Sequence, residues 1–330
     1  MLHLLTTGGT IASTPSPEGR NVAGELSADH LLETVRGAIE DVDGIHAESL
    51  FQKPSNAMGP DELLALVARC ETLLGMPDTR GIVITHGTDT LEDTAWFLQL
   101  ALGDCPRPVV VTGSQRALHE IGSDAPRNLI DALRVAARPD ARGQGVLVVF
   151  DEAVHSAPLV TKTSSYRLAG FSSPGFGPIG QIDGAHVRFA LRARPPTALP
   201  RGTALPRVDI ATVAAGSACP IDALSADGAH GFVIDALGRG QVPPDWLPAI
   251  ERAAGAGRPV AVAGSTGSGP VAPVYEYPGS LASILSVGGL PAGALTARQA
   301  RFLMMLLLSH TDSADAFSER FRQATRWETG

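Results

Sequence analysis

The sequence is poor in cysteine, and its histidines are scattered. Cys70, Cys105 and Cys219 lie far apart in a chain of 330 residues and form no CxxC pair. An odd number of isolated cysteines predicts neither a disulfide framework nor a thiolate metal site, and it favours a reducing compartment. The nine histidines show no paired spacing of the kind that binds zinc. We therefore expect no metal.

The sequence also lacks an excess of basic charge and any long apolar run. It has 26 basic and 34 acidic residues, a net charge of −8 and a pI of about 5.6, which argues against nucleic acid as a partner. The apolar run at 302–308 predicts one buried helix face, because it is too short to cross a membrane. The first residues, MLHLLTTGG, have no basic segment before the glycine turn and are atypical of a signal peptide. We expect a cytoplasmic protein that does not bind membranes.

What the sequence does contain is apolar residues in short blocks, enough for two domains of ordinary size. Hydrophobic residues make up 44% of the chain and charged residues 18%. Continuous apolar runs predict strands that are buried on both faces of a parallel sheet. They lie at 3–7, 81–85, 108–112 and 145–151. Helical patterns occupy 29–39, 60–74, 91–102 and 126–137. This alternation predicts a doubly wound, mostly parallel α/β sheet.

A change of composition predicts where the first domain ends. Residues 190–207 are rich in Arg, Pro, Ala and Thr and show no apolar period, which is typical of a linker. The α/β pattern then resumes, with strands predicted at 208–213, 231–236 and 259–263 and helices at 244–254 and 296–309. We expect a catalytic domain at 1–189 and a smaller α/β domain at 208–330.

Glycine-rich turns with hydroxyl side chains follow three of the predicted strands. TTGGT lies at 6–10, THGTDT at 85–90 and TGSQR at 112–116. In an open α/β sheet, ligands bind beyond the carboxyl ends of the strands. A hydroxyl on such a turn is close to backbone N–H groups and is suited to covalent chemistry. Taken singly, however, Thr10 and Thr88 could be ordinary turn residues, and Asp89 could cap the helix predicted from 91.

Lysine is almost absent. Lys53 and Lys162 are the only lysines among 26 basic residues. Arginine stays protonated at any accessible pH, whereas a desolvated lysine can lose its proton and act as a base. Lys162, in the segment VTKTSSY, is therefore a candidate proton carrier, although a surface lysine retained by chance would explain the same observation. His86 is better suited to a packed, hydrogen-bonded role than to that of a base.

Four segments together resemble the bacterial-type L-asparaginases, and the cytoplasmic, type I branch in particular. They are TTGGTIAS at 6–13, GIVITHGTDTLEDTAWFL at 81–98, TGSQR with the following SDAPRNLIDAL, and VTKT at 160–163. The resemblance extends over essentially the whole chain and is strongest up to about residue 180. It implies hydrolysis of L-asparagine to L-aspartate and ammonia without a metal or an organic cofactor.

The resemblance also implies a role for individual residues. Thr10 corresponds to the nucleophile of the family, and Thr88, Asp89 and Lys162 correspond to its second threonine, acid and base. The residues expected to bind substrate are Ser55, Asn56, Gly87, Ser114 and, from a neighbouring subunit, Glu276. Backbone N–H groups near Gly87 and Thr88 are expected to stabilise the oxyanion. A homodimer or homotetramer, with each site completed across the subunit interface, is implied.

Two points stay open at this stage. Family members usually carry a tyrosine in the loop after the first motif, where this sequence has Arg20, and Arg20 could bring a cation toward the substrate carboxylate. The function also has alternatives: a glutaminase-asparaginase of broader specificity, or a non-catalytic module that binds an amino acid.

The GFGPIG segment at 175–180 matches a dinucleotide fingerprint in letters alone, because it follows no strand and contains Pro178.

Overall fold

A computed structural model describes residues 1–311 and 313–325. The chain divides into two compact units, Met1–Leu199 and Pro200–Gly330. Residues 312 and 326–330, which belong to the predicted second domain, lie outside the described residues.

The first unit is built on one eight-stranded sheet. In chain order the strands of this unit, including four outside the main sheet, are β1 (Leu2–Gly8), β2 (Thr14–Pro15), β3 (Asn21–Val22), β4 (Ile45–Lys53), β5 (Gly81–Thr85), β6 (Val109–Thr112), β7 (Val146–Phe150), β8 (Ala153–Ser156), β9 (Thr161–Lys162), β10 (Phe171–Ser172), β11 (Gly180–Asp183) and β12 (His186–Phe189). Its α-helices are α1 (Ala28–Val35), α2 (Pro60–Leu74), α3 (Leu91–Leu102) and α4 (Ala125–Ala137).

The sheet order is β12-β11-β8-β7-β6-β5-β1-β4, while β2 with β3 and β9 with β10 form separate two-stranded ribbons. Strands β4, β1, β5, β6 and β7 run parallel, and β8, β11 and β12 extend the sheet antiparallel. Every residue of β1, β5, β6 and β7 is buried, as expected for strands covered on both faces. The prediction of a mostly parallel doubly wound sheet is confirmed.

Local signals explain why the predicted helices form where they do. Helix α2 begins at Pro60, whose fixed φ suits a first turn, and the Glu62 carboxylate accepts a hydrogen bond of 2.9 Å from the Gly59 amide. Helices α2 and α3 have the predicted bounds. Predicted helix 29–39 is shorter as an α-helix, because its last part is the 3-10 helix Arg36–Ala38.

The sequence patterns missed β4 and the antiparallel strands. Strand β4 is an edge strand whose residues are exposed or only partly buried, so it shows no continuous apolar run. The turn from β7 to β8 has Asp151 and Glu152 at φ values of 49° and 62°. Such a tight hairpin usually carries Asn-Gly or Asp-Gly, and without glycine it gave no turn signal.

The second unit contains a four-stranded parallel sheet in the order β13-β14-β15-β16. Its strands are β13 (Val208–Thr212), β14 (Gly231–Ala236), β15 (Val260–Gly264) and β16 (Leu290–Pro291). Its α-helices are α5 (Ile221–Ala226), α6 (Leu247–Gly255), α7 (Leu281–Ser286), α8 (Ala297–Leu308) and α9 (Ala314–Thr325). The apolar run at 302–308 falls on α8, where 302–307 are buried. The prediction of a smaller α/β unit is confirmed.

The segment predicted as a linker is hydrogen-bonded along part of its length. Within the first unit, the Ala193 amide donates to Gln144 Oε1 at 3.2 Å and the Leu199 amide donates to the Leu100 carbonyl at 2.8 Å. Within the second unit, the Gly202 amide donates to Ser309 Oγ at 3.0 Å. These bonds tie both ends of the segment down, so it differs from a free tether.

Candidate active site

A polar cavity of about 200 Å³ opens at the carboxyl ends of β1, β4 and β5, where the first motifs leave the sheet. It lies entirely within the first unit. Its lining residues are Gly9, Thr10, Ala23, Pro54, Ser55, Asn56, Gly87, Thr88, Asp89, Gln115, Lys162 and Ser165. Seven of the residues predicted to form the site are therefore brought to one cavity, from stretches of chain that are distant in sequence.

Glycines allow the turns around the cavity to touch one another. A Cβ atom on Gly9, whose φ is +81°, would lie 2.4 Å from the backbone N and Cα of Gly87. A Cβ atom on Gly87 would lie 2.8 Å from the side chain of Ser55. Side chains at these two positions would thus force the turns apart, which explains why glycine occupies both.

The amino group of Lys162 joins the second threonine and the acid. Lys162 Nζ donates hydrogen bonds of 2.7 Å to Thr88 Oγ1 and 2.7 Å to Asp89 Oδ1. The Lys162 side chain is 16% exposed and that of Asp89 is 75% exposed. Thr88 is buried. The three side chains thus form one connected set of hydrogen bonds, and all three line the cavity.

The backbone holds Lys162 in this position. It lies on β9, which pairs with β10 so that Lys162 is opposite Phe171. Its amide also donates to the carboxylate of Glu92 in the first turn of α3. Because α3 directly follows the Thr88 turn, this contact ties the lysine to the turn that carries its partners.

Ser55 and Asn56 follow β4 in the short 3-10 helix Ser55–Ala57. Ser55 is buried and Asn56 is exposed. The Thr90 hydroxyl donates to the Ser55 carbonyl at 2.9 Å, which connects this helix to the Thr88 turn. Ser55 and Asn56 line the same cavity as Thr88, Asp89 and Lys162.

His86 has the packed role that its position in the turn indicated. Its Nδ1 lies 2.8 Å from the Gly87 carbonyl and its Nε2 lies 3.0 Å from Thr94 Oγ1. Since a carbonyl can only accept, Nδ1 carries the proton and Nε2 accepts from the threonine hydroxyl. Complete burial lowers the pKa of His86 to about 4, so the ring is neutral.

The structure places Gln115 in the cavity and turns Ser114 away from it. Ser114 is fully buried, and its hydroxyl donates to the Arg116 carbonyl at 2.6 Å instead of lining the cavity. Gln115 lines the cavity, and Thr88 Oγ1 lies 3.4 Å from its Oε1. The motif TGSQR located this turn correctly, but the sequence analysis named Ser114, whereas the side chain of this turn that lines the cavity is that of Gln115.

A short hairpin covers part of the same region. Strands β2 and β3 pair antiparallel, and Ala23, just after β3, lines the cavity. The Asn21 amide donates to Glu120 Oε1 at 2.8 Å. Arg20 directly precedes β3, is exposed, and is not among the described residues that line the cavity.

Glu276 lies in the second unit, where its side chain is exposed between Tyr275 and Tyr277.

In the described ranges, no group of three or more His, Cys, Asp or Glu residues could hold a metal ion. Over residues 1–311 and 313–325, no helix is long and apolar enough to cross a membrane.

Two family models match the chain. The model of the N-terminal asparaginase domain matches residues 1–194. The model of the glutaminase/asparaginase C-terminal domain matches residues 207–321. Together they account for most of the sequence.

Individual relatives agree with these matches. The chain is 38% identical over 329 residues to a probable L-asparaginase of Deinococcus radiodurans, covering 98% of this chain and 97% of the relative. It is 39% identical over 309 residues to an L-asparaginase of Bacillus licheniformis, covering 93% and 94%. It also resembles the crystal structure of a probable cytoplasmic L-asparaginase from Campylobacter jejuni, with a TM-score of 0.85, 30% identity, and coverage of 97% and 98%.

Proposed function

The chain belongs to the bacterial-type asparaginase family and is an L-asparaginase, and we propose that it hydrolyses L-asparagine through an ester formed on Thr10. The observation that carries the proposal is the arrangement of Lys162 Nζ, 2.7 Å from Thr88 Oγ1 and 2.7 Å from Asp89 Oδ1, beside a cavity that Thr10 also lines. The same cavity then supplies a nucleophile and a path for protons.

In the first step, Thr10 Oγ1 attacks the carbonyl carbon of the substrate side-chain amide. The backbone amides of Gly87 and Thr88 stabilise the negative charge that develops on the carbonyl oxygen. The C–N bond then breaks, and the proton lost by Thr10 passes to the departing nitrogen, which leaves as ammonia. The path through Thr88, Lys162 and Asp89 carries protons during this step.

In the second step, water attacks the ester on Thr10. The ester C–O bond breaks, the threonine hydroxyl is regenerated, and aspartate leaves. Ser55 and Asn56 hold the α-carboxylate and α-amine throughout, which keeps the reacting carbonyl near Thr10. No step requires a metal or an organic cofactor.

Removal of the nucleophile tests the proposal. Thr10→Ala should abolish ammonia release from asparagine while the enzyme stays folded, and wild-type enzyme quenched during turnover should carry an aspartyl adduct on Thr10 by peptide mass spectrometry. An adduct found on Thr88 in enzyme with intact Thr10 would overturn the assignment of the nucleophile.

Glutamine is a second candidate substrate, because the family model that matches residues 207–321 describes glutaminases as well as asparaginases. One extra methylene changes discrimination by about 1–3 kcal/mol. Ammonia release from the two amides at equal concentrations decides between a strict asparaginase and a glutaminase-asparaginase.

The location and assembly are also proposals. A cytoplasmic location is supported by the similarity to the Campylobacter jejuni protein, which is described as cytoplasmic. A homodimer or homotetramer with sites completed across the interface is supported by the exposure of the Asp89 side chain in the single chain. The exposed Glu276 and its neighbouring tyrosines supply a surface that a second copy could cover. We also propose catalytic and C-terminal domains at 1–189 and 208–330, joined by 190–207.

A further inference from the structure

We propose that Gln115 is a positioning residue, which fixes the direction of the Thr88 hydroxyl and holds the Lys162 segment against the Thr88 turn. The inference rests on the function proposed above, since it concerns the same path for protons. It gives a role to a side chain that the sequence motif left unassigned.

The orientation of the Gln115 amide follows from its contacts. Gln115 Nε2 lies 3.0 Å from the Ser164 carbonyl, which can only accept a hydrogen bond. The nitrogen of the amide therefore faces Ser164 and the oxygen faces Thr88. A Cβ atom on Gly170 would lie 2.1 Å from Gln115 Nε2, so the absence of a side chain at Gly170 leaves the room that this orientation needs.

The direction of the amide determines the direction of the Thr88 hydroxyl. Thr88 Oγ1 accepts a hydrogen bond of 2.7 Å from Lys162 Nζ. Its own proton points to Gln115 Oε1, 3.4 Å away. Thr88 thus presents a lone pair to the lysine and its O–H bond to the glutamine. Without Gln115, the hydroxyl would be free to rotate and its hydrogen bond with Lys162 would lose this fixed direction.

The same side chain joins two segments of the site. Ser164 is two residues after Lys162, and its amide and that of Thr163 both donate to the Gly170 carbonyl. The bond from Gln115 to Ser164 therefore anchors the loop that follows β9. Gln115 therefore adds a second connection, beside the one from Glu92, between the Lys162 segment and the part of the site that carries Thr88.

A buried carboxylate holds Gln115 itself in place. The backbone amides of Gln115 and Arg116 donate to Asp124 at 2.9 Å each, and Asn128 Nδ2 donates to the same carboxylate at 3.0 Å. Asp124 and Asn128 are both buried at the beginning of α4. The Asp124 carboxylate thus fixes the backbone of the turn that carries Gln115, as a positioning residue requires.

Gln144 provides a matched control. It is buried in the same unit and uses both ends of its amide, with Nε2 donating to the Asp140 carbonyl at 2.8 Å and Oε1 accepting from Ala193 at 3.2 Å. It does not line the cavity. Gln144→Met and Gln115→Met therefore each remove a side-chain amide with two hydrogen bonds. Only Gln115→Met removes an amide that contacts Thr88.

The test measures kcat, KM and thermal stability for both variants. Gln115→Met should lower kcat about tenfold or more, as expected for two lost hydrogen bonds that order the reacting groups, and it should change KM by less than about threefold. Its pH profile for kcat should shift from that of the wild type. Gln144→Met should keep the wild-type kcat and pH profile, with a loss of stability of the same order.

Three results would overturn the proposal: a wild-type kcat in Gln115→Met, an increase in KM alone, or an equal loss of kcat in both variants. If Gln115→Met fails to fold, Gln115→Asn decides, because the shorter side chain keeps a neutral amide in the turn and withdraws it from both Thr88 and Ser164. A wild-type kcat in that variant contradicts the proposal, and a lowered kcat supports it. The proposed function is tested separately. If the wild type releases ammonia from asparagine and Thr10→Ala does not, the proposed function holds even if the proposal for Gln115 fails.

Discussion

At the scale of single residues, the chain uses its two lysines for different tasks. Lys162 is mostly buried between Thr88 and Asp89. Lys53 is 44% exposed and forms an ion pair with Glu62 near the beginning of α2. The Glu62 side chain is 18% exposed, and a partly exposed ion pair of this kind contributes about 1 kcal/mol.

The two lysines therefore make a matched pair of substitutions. Lys162→Met should lower kcat about 10²- to 10⁴-fold, the range typical of a lost proton-transfer group. Lys53→Met should leave kcat unchanged and cost little stability. Steady-state ammonia release and thermal unfolding check both, and a Lys162→Met enzyme with full activity would remove lysine from the mechanism.

His86 makes stability depend on pH. Its pKa falls from 6.5 to about 4 in the folded state because of burial, so the unfolded chain binds the extra proton between these values. The stabilisation is complete above pH 6.5 and is lost as the pH falls toward 4. The shift corresponds to about 3 kcal/mol.

We therefore expect His86→Gln to make the dependence of the unfolding free energy on pH less steep between about 6.5 and 4, while His155, whose pKa burial also lowers to about 4, keeps its share. Urea denaturation over this range measures it, with His30→Gln, at an exposed position on α1, as the control. If the His86 variant loses stability with acid as steeply as the wild type, another group is responsible.

At the scale of the elements, the site is formed by strand ends that approach through glycine. Gly87 is close to both Gly9 and the side chain of Ser55. A Cβ atom added to Gly87 would lie 2.8 Å from that side chain. The turn after β5 is thus in contact with the turns after both β1 and β4. Three parallel strands position three functional segments because their carboxyl ends meet at the same edge.

Gly87→Ala should disturb this contact. The added methyl group should push Ser55 away from its position, raise KM for asparagine and cost about 1–3 kcal/mol of stability. Gly37→Ala is the control, because a Cβ atom there meets nothing within 4 Å. Kinetics that are the same for both alanine variants would show that the turns do not need this close approach.

At the scale of the whole molecule, the exposed groups of the single chain suggest assembly. Asp89 is 75% exposed although it pairs with Lys162. Val274, Tyr275 and Tyr277 expose between 47% and 59% of their surface in one short segment of the second unit. Such a concentration of large apolar side chains is typical of an interaction surface.

We expect the enzyme to be a dimer or tetramer whose activity depends on assembly. Tyr275→Ser combined with Tyr277→Ser should weaken assembly and lower activity per chain on dilution, as followed by light scattering and ammonia release. Exposed Phe176, in the first unit, offers a control substitution to serine. Full activity in a monomeric variant would contradict the proposed completion of sites by a second subunit.

The sequence by itself determined the parallel sheet, the two α/β units and the turns that carry the site. These features are local: continuous apolar runs predict buried strands, and Pro60 or a glycine turn marks where an element begins or ends. The positions of β5, α2 and α3 could therefore be predicted from the sequence, and the scarcity of lysine made Lys162 a candidate that the family resemblance then supported.

Only the tertiary structure decided which side chains face one another. Strand β4 pairs with the distant β1 and lacks the apolar run that marks a buried strand, and β11 joins the sheet by pairing with β8, more than twenty residues earlier. The same holds for Ser114 and Gln115: adjacent residues of one turn point in different directions, and packing against α4 and the loop after β9 determines which one reaches the cavity. Strands and helices can be predicted because their patterns lie in neighbouring residues. The direction of a side chain depends on contacts with residues that are distant in sequence, so it could not be predicted.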